Sequence, residues 1–80
     1  MTTLAGLYRH ARARLSGAGI EAAAQETRIL VEGITGSRSE DLVCRPMSEV
    51  EPEKIVALEK ALSRRLAGEP VHRILGWREF

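Results

Sequence analysis

Two histidines and one cysteine are the residues of this 80-residue chain whose types could do chemistry near neutral pH. His10 and His72 could act as general bases, and Cys44 could supply a thiolate nucleophile. No Ser or Cys lies at a spacing from either histidine that indicates a nucleophile with its base, and no Cys/His spacing matches a zinc site. The residues therefore predict no active site of their own.

The surroundings of these three side chains favour structural roles. His10 falls on the outer face of the first predicted helix and is expected to be solvated. His72 lies beside the C-terminal tail, where packing or an interdomain contact is expected. Cys44 follows Leu42-Val43 and is predicted to act as a small apolar side chain. A single cysteine cannot form an internal disulfide, so the reducing cytoplasm is the expected compartment.

Three arginines in the first segment, Arg9, Arg12 and Arg14, could contact phosphates or an acidic partner. Because Arg12 and Arg14 flank the apolar stripe from opposite sides, solvation is the favoured interpretation. Acidic residues between positions 40 and 53 balance this run, and such a dipolar surface could steer a protein partner. The net charge of +1 and the pI near 8.0 give little support to a nucleic-acid role. That role stays as an alternative.

Apolar residues at three- and four-residue steps predict helices along the chain. The first helix is capped by Thr2 or Thr3 and ended by Gly17 or Gly19. Its inner face is Leu4, Leu7, Tyr8, Ala11 and Leu15. The second helix runs from about residue 21 to 35, and Gly36 ends it. Its inner face is Ala23, Thr27, Leu30, Val31 and Ile34. Ile29 lies outside that stripe, which predicts a central position among several neighbours.

A short third helix is expected over residues 40–45, with Leu42 and Val43 reaching the core before Pro46 stops it. The fourth helix begins at Pro52, and Gly68 supplies its left-handed cap. Its predicted stripe is Ile55, Leu58, Leu62 and Leu66. A fifth helix runs from Pro70 to about Leu75 and ends at Gly76.

Five helices joined by short connections predict an all-α fold, a small five-helix bundle forming one domain. The 44% hydrophobic content is ordinary for a folded chain. No stretch is long enough to span a membrane, and the N-terminus does not resemble a secretory signal. The only expected strand is the tail at residues 77–80, the start of a β linker at the C-terminus.

The last seventeen residues, RRLAGEPVHRILGWREF from Arg64 to Phe80, carry a family resemblance. Paired arginines, Gly68-Glu69-Pro70, an apolar run closed by Gly76, and Arg78-Glu79-Phe80 resemble the N-terminal domain of the HemK/PrmC family. A weaker match is ETRILVE at residues 26–32, followed by Ile34-Thr35-Gly36. There the family usually has an acidic residue and Ala before its double leucine, so Glu26 and Thr27 depart mildly from the pattern.

The resemblance implies a domain of a protein-(glutamine-N5) methyltransferase, which uses S-adenosylmethionine to methylate the glutamine of the Gly-Gly-Gln motif in class-1 peptide chain release factors. In the family, a five-helix bundle is followed by a β-hairpin linker into a Rossmann-like catalytic domain. Residues 1–76 are therefore expected to recognise the substrate, and residues 77–80 to begin the linker. The family's Gly-rich cofactor loop and its Asn-Pro-Pro-Tyr motif do not occur in these residues, so no methyl transfer and no cofactor binding is expected here.

The expected partners are the release factor and the protein's own catalytic domain. Arg64, Arg65 and Arg73 are the predicted partner-binding residues, and Trp77 and Phe80 are predicted to pack in the interdomain seam. Glu69 is expected to cap the fifth helix or to pair with Arg65 or Arg73. Besides the nucleic-acid alternative, the domain could be a purely structural cap on the catalytic domain.

Overall fold

The computed structural model describes residues 2–76 of the 80-residue chain and confirms the predicted all-α, five-helix fold. The helices are α1 (Leu4–Gly17), α2 (Ala23–Thr35), α3 (Ser39–Cys44), α4 (Pro52–Leu66) and α5 (Val71–Leu75). No strand occurs within residues 2–76, where Thr3 and Glu49 form an isolated antiparallel bridge. The predicted β linker at residues 77–80 lies outside the described residues.

Helix α2 occupies the centre of the bundle, as the apolar surface outside its main stripe predicts. It packs most extensively against α1 and also contacts α4 and α5. All five residues of its predicted inner face are buried, and Ile29 is half-buried against the same core. The largest fully buried side chains are Leu7, Leu15, Leu30, Leu58, Leu62, Val31 and Thr27. The core therefore lies between α1, α2 and α4.

Local hydrogen bonds explain where the two longest helices end. At the end of α1, the amide of Gly19 donates to the Ser16 carbonyl at 3.0 Å and that of Ile20 to the Leu15 carbonyl at 3.1 Å. The end of α4 repeats this pattern around Gly68, which like Gly19 has a positive φ. This Schellman arrangement needs a left-handed residue, which glycine adopts without steric cost. Both predicted glycine stops are therefore confirmed.

The backbone amides in the first turn of α1 find hydrogen-bond acceptors from two sources. Thr3 is the N-cap, because its side-chain oxygen accepts a hydrogen bond from the Gly6 amide at 3.1 Å. The loop between α3 and α4 supplies two carbonyl acceptors: the Leu4 amide donates to the Ser48 carbonyl at 2.8 Å, and the Ala5 amide donates to the Pro46 carbonyl at 2.9 Å. The first-turn amides of a helix have no partner within the helix, so this loop takes part in capping α1.

Two core predictions are wrong, because Val43 is 81% exposed and Leu66 is 36% exposed. Cys44, predicted to act as a small apolar side chain, is exposed as well. Helix α3 is only six residues long and makes no extensive contact with another helix among residues 2–76, so only Asp41 and Leu42 on it are half-buried. On α4 the buried positions are Leu58, Ala61 and Leu62, and Leu66 lies at the helix end, beyond them.

Candidate functional site

The corner between α4 and α5 holds the three arginines that the sequence singles out for partner binding. Arg64, near the end of α4, donates from Nη2 to Glu69 Oε2 at 2.7 Å and from Nε to both carboxylate oxygens at 3.2 Å. These hydrogen bonds are the main cause of the lowered pKa of Glu69 and the raised pKa of Arg64. Both side chains remain accessible, at 48% and 35% exposure. This pair lies at the surface of the corner.

The two predictions for Glu69, a cap on α5 or a pair with Arg65 or Arg73, are wrong. Its carboxylate forms no hydrogen bond with Arg65 or Arg73, and α5 has no side-chain cap. The Schellman turn at the end of α4 brings the Glu69 amide to the Arg64 carbonyl at 3.1 Å, which also places the two side chains together. Arg73 lies close enough to contribute a smaller lowering of the pKa of Glu69.

Arg65 has a different neighbour and a different role. It reaches across to α2, where its Nε donates to Glu26 Oε1 at 2.6 Å and its Nη2 to Oε2 at 3.3 Å. The two side chains are 22% and 19% exposed. The hydrogen bonds to Glu26 are the main cause of the raised pKa of Arg65. This ion pair joins the C-terminal half of α4 to the first turn of α2 and leaves Arg65 less accessible than Arg64.

Arg73 is the most available of the three predicted arginines. It is exposed on α5, and within residues 2–76 it forms no ion pair. His72 is exposed beside it and borders a shallow groove with Glu26, Arg65 and Val71. Trp77 and Phe80, the predicted interdomain packing residues, lie outside the described residues. The structure thus brings the three predicted arginines to one corner, with Arg73 free to meet a partner.

A second charged cluster joins α1 to α4 around Glu59. Arg14 donates from Nη1 to Glu59 Oε2 at 2.6 Å, and His10 Nε2 contacts the other carboxylate oxygen. His10 is exposed, as predicted, although it is held by a carboxylate. Arg14 is less solvated than predicted, because its side chain is 32% exposed and forms an ion pair with Glu59. Arg9 and Arg12 are exposed and form no ion pair within residues 2–76.

Sequence reasoning missed Glu26 and Glu59 as ion-pair partners. Glu59 is 45 positions from Arg14, and Glu26 is 39 positions from Arg65. Local spacing carries no signal for contacts at such separations. The only usable hint is local: each glutamate lies three or four residues from apolar residues of its own helix, so it borders the buried face.

The three side chains that could do chemistry near neutral pH lie on three different helices, His10 on α1, His72 on α5 and Cys44 on α3. Among the described residues, no three His, Cys, Asp or Glu side chains converge to hold a metal ion. None of the helices within residues 2–76 combines the length and apolar character needed to cross a bilayer.

Comparison with known proteins places these features in context. The model of the PrmC N-terminal domain matches residues 6–76. The chain is similar to the release factor glutamine methyltransferase of Agrobacterium fabrum, with 40% identity over 70 residues, which are 88% of this chain and 24% of that protein. It is also similar to the release factor glutamine methyltransferase of Nitratidesulfovibrio vulgaris, with 35% identity over 78 residues, covering 98% of the chain and 26% of the relative.

A bifunctional methyltransferase of Rickettsia prowazekii is 37% identical over 71 residues, which are 89% of this chain and 14% of that protein. The chain therefore spans about a quarter or less of the length of these relatives. No solved structure matches the chain significantly. The matched region coincides with the helical bundle described above.

Proposed function

Given that this chain belongs to the PrmC N-terminal domain family, we propose that it is the substrate-recognition domain of a release factor glutamine methyltransferase. The single observation that carries the proposal is the extent of the family match, which covers α2 to α5 entirely and nearly all of α1. Relatives about four times as long as the matched segment are named for that activity.

The proposal divides the chain at Gly76. Residues 1–76 form the recognition domain, and residues 77–80 begin the linker to a Rossmann-like methyltransferase domain. The end of α5 supports this boundary, because Leu75 is the last buried residue among residues 2–76 and Gly76 ends the helix. Trp77 and Phe80 are then proposed to pack at the seam between this domain and the catalytic domain.

The chemistry is assigned to that second domain. There, S-adenosylmethionine would supply the methyl group to the side-chain nitrogen of the glutamine in the Gly-Gly-Gln motif of class-1 release factors, in the cytoplasm. A carboxamide is a weak nucleophile, so holding it in a reactive geometry contributes a large share of the rate enhancement. A docking domain away from the reacting atoms supplies binding energy for that positioning. This bundle is therefore proposed to be non-catalytic by itself.

The proposed docking surface is the corner of Arg64, Arg65 and Arg73. Arg73 is exposed and unpaired within residues 2–76, so it is available to a carboxylate of the partner. Arg64 can exchange Glu69 for a partner group, since surface ion pairs contribute little stability. Arg65 supports the surface by joining α4 to α2 rather than by reaching outward.

The test is an NMR titration of the labelled 80-residue chain with a class-1 release factor. A contiguous set of shifted resonances that includes Arg73 is expected. Arg73→Glu should weaken binding several-fold, whereas Arg38→Glu should not, because Arg38 precedes α3, outside the corner between α4 and α5, and its side chain is 82% exposed. Absence of shifts at millimolar release factor would overturn the docking role. Unchanged binding by Arg73→Glu would overturn only the proposed corner.

A purely structural cap makes a different prediction. If residues 1–76 only stabilise the catalytic domain, their deletion from the full-length enzyme should lower the melting temperature and leave the affinity for the release factor unchanged. Under the recognition proposal, the deletion weakens binding of the release factor and leaves S-adenosylmethionine binding by the remaining domain intact.

A further inference from the structure

A groove between α1 and α2 lies away from the predicted docking corner. It encloses about 390 Å³ and has a mainly apolar lining. Ala5 and the Tyr8 ring line it from α1, Ala24 lines it from α2, and the half-buried Leu42 of α3 lies at one end. At 100° per residue, Tyr8 lies on the flank of α1 opposite to the flank that faces Glu59. The groove therefore opens on a side of the bundle that neither ion-pair cluster covers.

Three arginines border this groove. Arg9 and Arg12 come from α1, and Arg28 comes from α2. All three are exposed, and none forms an ion pair or a side-chain hydrogen bond within the described part of the chain. Arg14 and Arg65, by contrast, are each held by a glutamate from another helix. The groove thus combines an apolar floor with three uncompensated positive charges.

No carboxylate among residues 2–76 forms an ion pair with these arginines. Burial is the main cause of the raised pKa of Tyr8; the Ser37 side chain and the charge of Arg28 lower it, and the carboxylates of Glu32 and Asp41 raise it. Glu32 accepts a hydrogen bond from the Ser39 hydroxyl at 2.9 Å, and Asp41 accepts one from the Arg38 amide at 2.8 Å. An external anion therefore has no ion pair to displace when it meets the three arginines.

We propose that this groove binds an acidic peptide segment, with one apolar side chain between α1 and α2 and its carboxylates paired to Arg9, Arg12 and Arg28. Charge complementarity selects an anionic occupant, and the apolar lining selects one that also carries a hydrophobic group. The proposal rests on the proposed function for the identity of the partner, whose sequence would contain the segment.

A nucleic acid is a poorer fit to the same observations. Three arginines neutralise few phosphates, and the whole chain has a net charge of only +1. Among the described residues that line the groove, Tyr8 is the one aromatic side chain, and it is half-buried, so it offers little exposed ring for base stacking. An acidic peptide satisfies both the charge and the lining.

The direct test measures binding of a fluorescein-labelled acidic peptide, Glu-Asp-Leu-Glu-Asp, to the 80-residue chain by anisotropy. Binding is expected at low salt and should weaken as salt rises. The double variant Arg12→Glu and Arg28→Glu should weaken it at least about tenfold, because both contacts become repulsive. Lys60→Glu reverses a charge in the same way at an exposed position of α4 outside the groove, and it should change the affinity less than about twofold.

Two controls secure the interpretation. The peptide Lys-Lys-Leu-Lys-Lys should not bind, and circular dichroism should show that the arginine variants are folded, as expected for exposed side chains without partners. Should the double Glu variant unfold, Arg12→Gln with Arg28→Gln provides the same test with a smaller expected loss. Equal affinity of the folded variants and the wild type, or no binding of the acidic peptide, overturns the proposal. Tighter binding of oligouridylate than of the peptide also overturns it.

A release-factor titration separates this proposal from the proposed function. If the factor binds the wild type and binds the double arginine variant more weakly, both are supported. If it binds both equally, the groove is not its docking site, and the recognition role stands without it. If it does not bind the wild type, the recognition role fails, while the acidic-peptide measurement still decides whether the groove is a peptide site.

Discussion

Gly33 of α2 lies so close to Leu75 of α5 that a methyl group on Gly33 would come within 2.8 Å of the Leu75 Cδ1 atom and 2.9 Å of Cδ2. Leu75 is 6% exposed and is the buried residue of the five-residue helix α5. The missing side chain of Gly33 therefore allows α5 to pack closely on α2.

Gly33→Ala should destabilise the domain despite the better helix propensity of alanine. Alanine in a helix interior gains about 1 kcal/mol over glycine. Overpacking against a buried side chain costs about 1–3 kcal/mol, so a net loss of about 1 kcal/mol is expected. Urea denaturation measures the change in the free energy of unfolding. The amide resonances of α5 should shift more than those of α1.

The sign of this effect should reverse when Leu75 is truncated. Leu75→Ala alone should cost about 2 kcal/mol through lost burial. In that background the added methyl of Gly33→Ala meets no leucine, so the substitution should stabilise by up to about 1 kcal/mol. A double-mutant cycle measures the coupling between the two sites. Additive free energies would show that the close approach does not limit the packing of α5.

Thr27→Val should stabilise the domain. Thr27 is 2% exposed, and its Oγ1 has no hydrogen-bond partner among the described residues. Leaving a buried hydroxyl unsatisfied costs about 1–3 kcal/mol, and valine has nearly the same shape, so a gain of about 1 kcal/mol is expected. Chemical denaturation measures the change.

Thr35→Val is the matched comparison for that experiment. The Thr35 hydroxyl donates to the Val31 carbonyl at 2.7 Å and accepts from the Ser37 amide at 3.2 Å. Its removal should destabilise the domain by about 1 kcal/mol. A loss of stability in both variants would show that Thr27 is satisfied by a group such as a bound water.

Two leucines on the same stripe of α4 should differ strongly in their contribution to stability. Leu62 is fully buried, and Leu62→Ala should cost about 3 kcal/mol because it leaves a cavity in the core. Leu66 is 36% exposed, and Leu66→Ala should cost about 1 kcal/mol or less. Thermal unfolding of the two variants measures which of them loses more stability. Similar losses would indicate that Leu66 packs as the periodicity alone predicts.

The ion pair of Glu69 with Arg64 predicts a pH dependence with a defined direction. The pKa of Glu69 is lowered from 4.5 in the folded domain, chiefly by the hydrogen bonds from Arg64. A lowered folded-state pKa means that the stabilisation is present above pH 4.5 and is lost as the pH falls through the folded value. Glu69→Gln lacks this contribution, so its stability deficit relative to the wild type should shrink below pH 4.5.

Arg64→Met provides the control for the pH experiment. Without the guanidinium, the Glu69 pKa should return towards its ordinary value, and adding Glu69→Gln should then change the pH profile little. A deficit of Glu69→Gln that is the same at neutral and acidic pH would show that the ion pair does not contribute to stability. Exposed pairs are also screened by salt, so the profile is best measured at low ionic strength.

Local features of the sequence were enough to predict the five helices. The 3.6-residue periodicity of α1 and α2, and the stops at Gly19 and Gly68, depend on residues within one or two turns of each other. The pattern from Arg64 to Phe80 was also enough to indicate the family, which the match over residues 6–76 confirms. These conclusions needed no knowledge of how the helices pack.

The tertiary structure alone decided which surfaces those helices use. It left Val43 and Leu66 exposed, because α3 makes no extensive contact with another helix among residues 2–76 and Leu66 is the last residue of α4. It paired Arg65 with Glu26 across 39 positions, and it placed Gly33 against Leu75. Among residues 2–76, it also left Arg12 and Arg28 without ion-pair partners beside one groove. Contacts between residues distant in sequence depend on how the helices pack, and no local pattern in this chain encodes that arrangement.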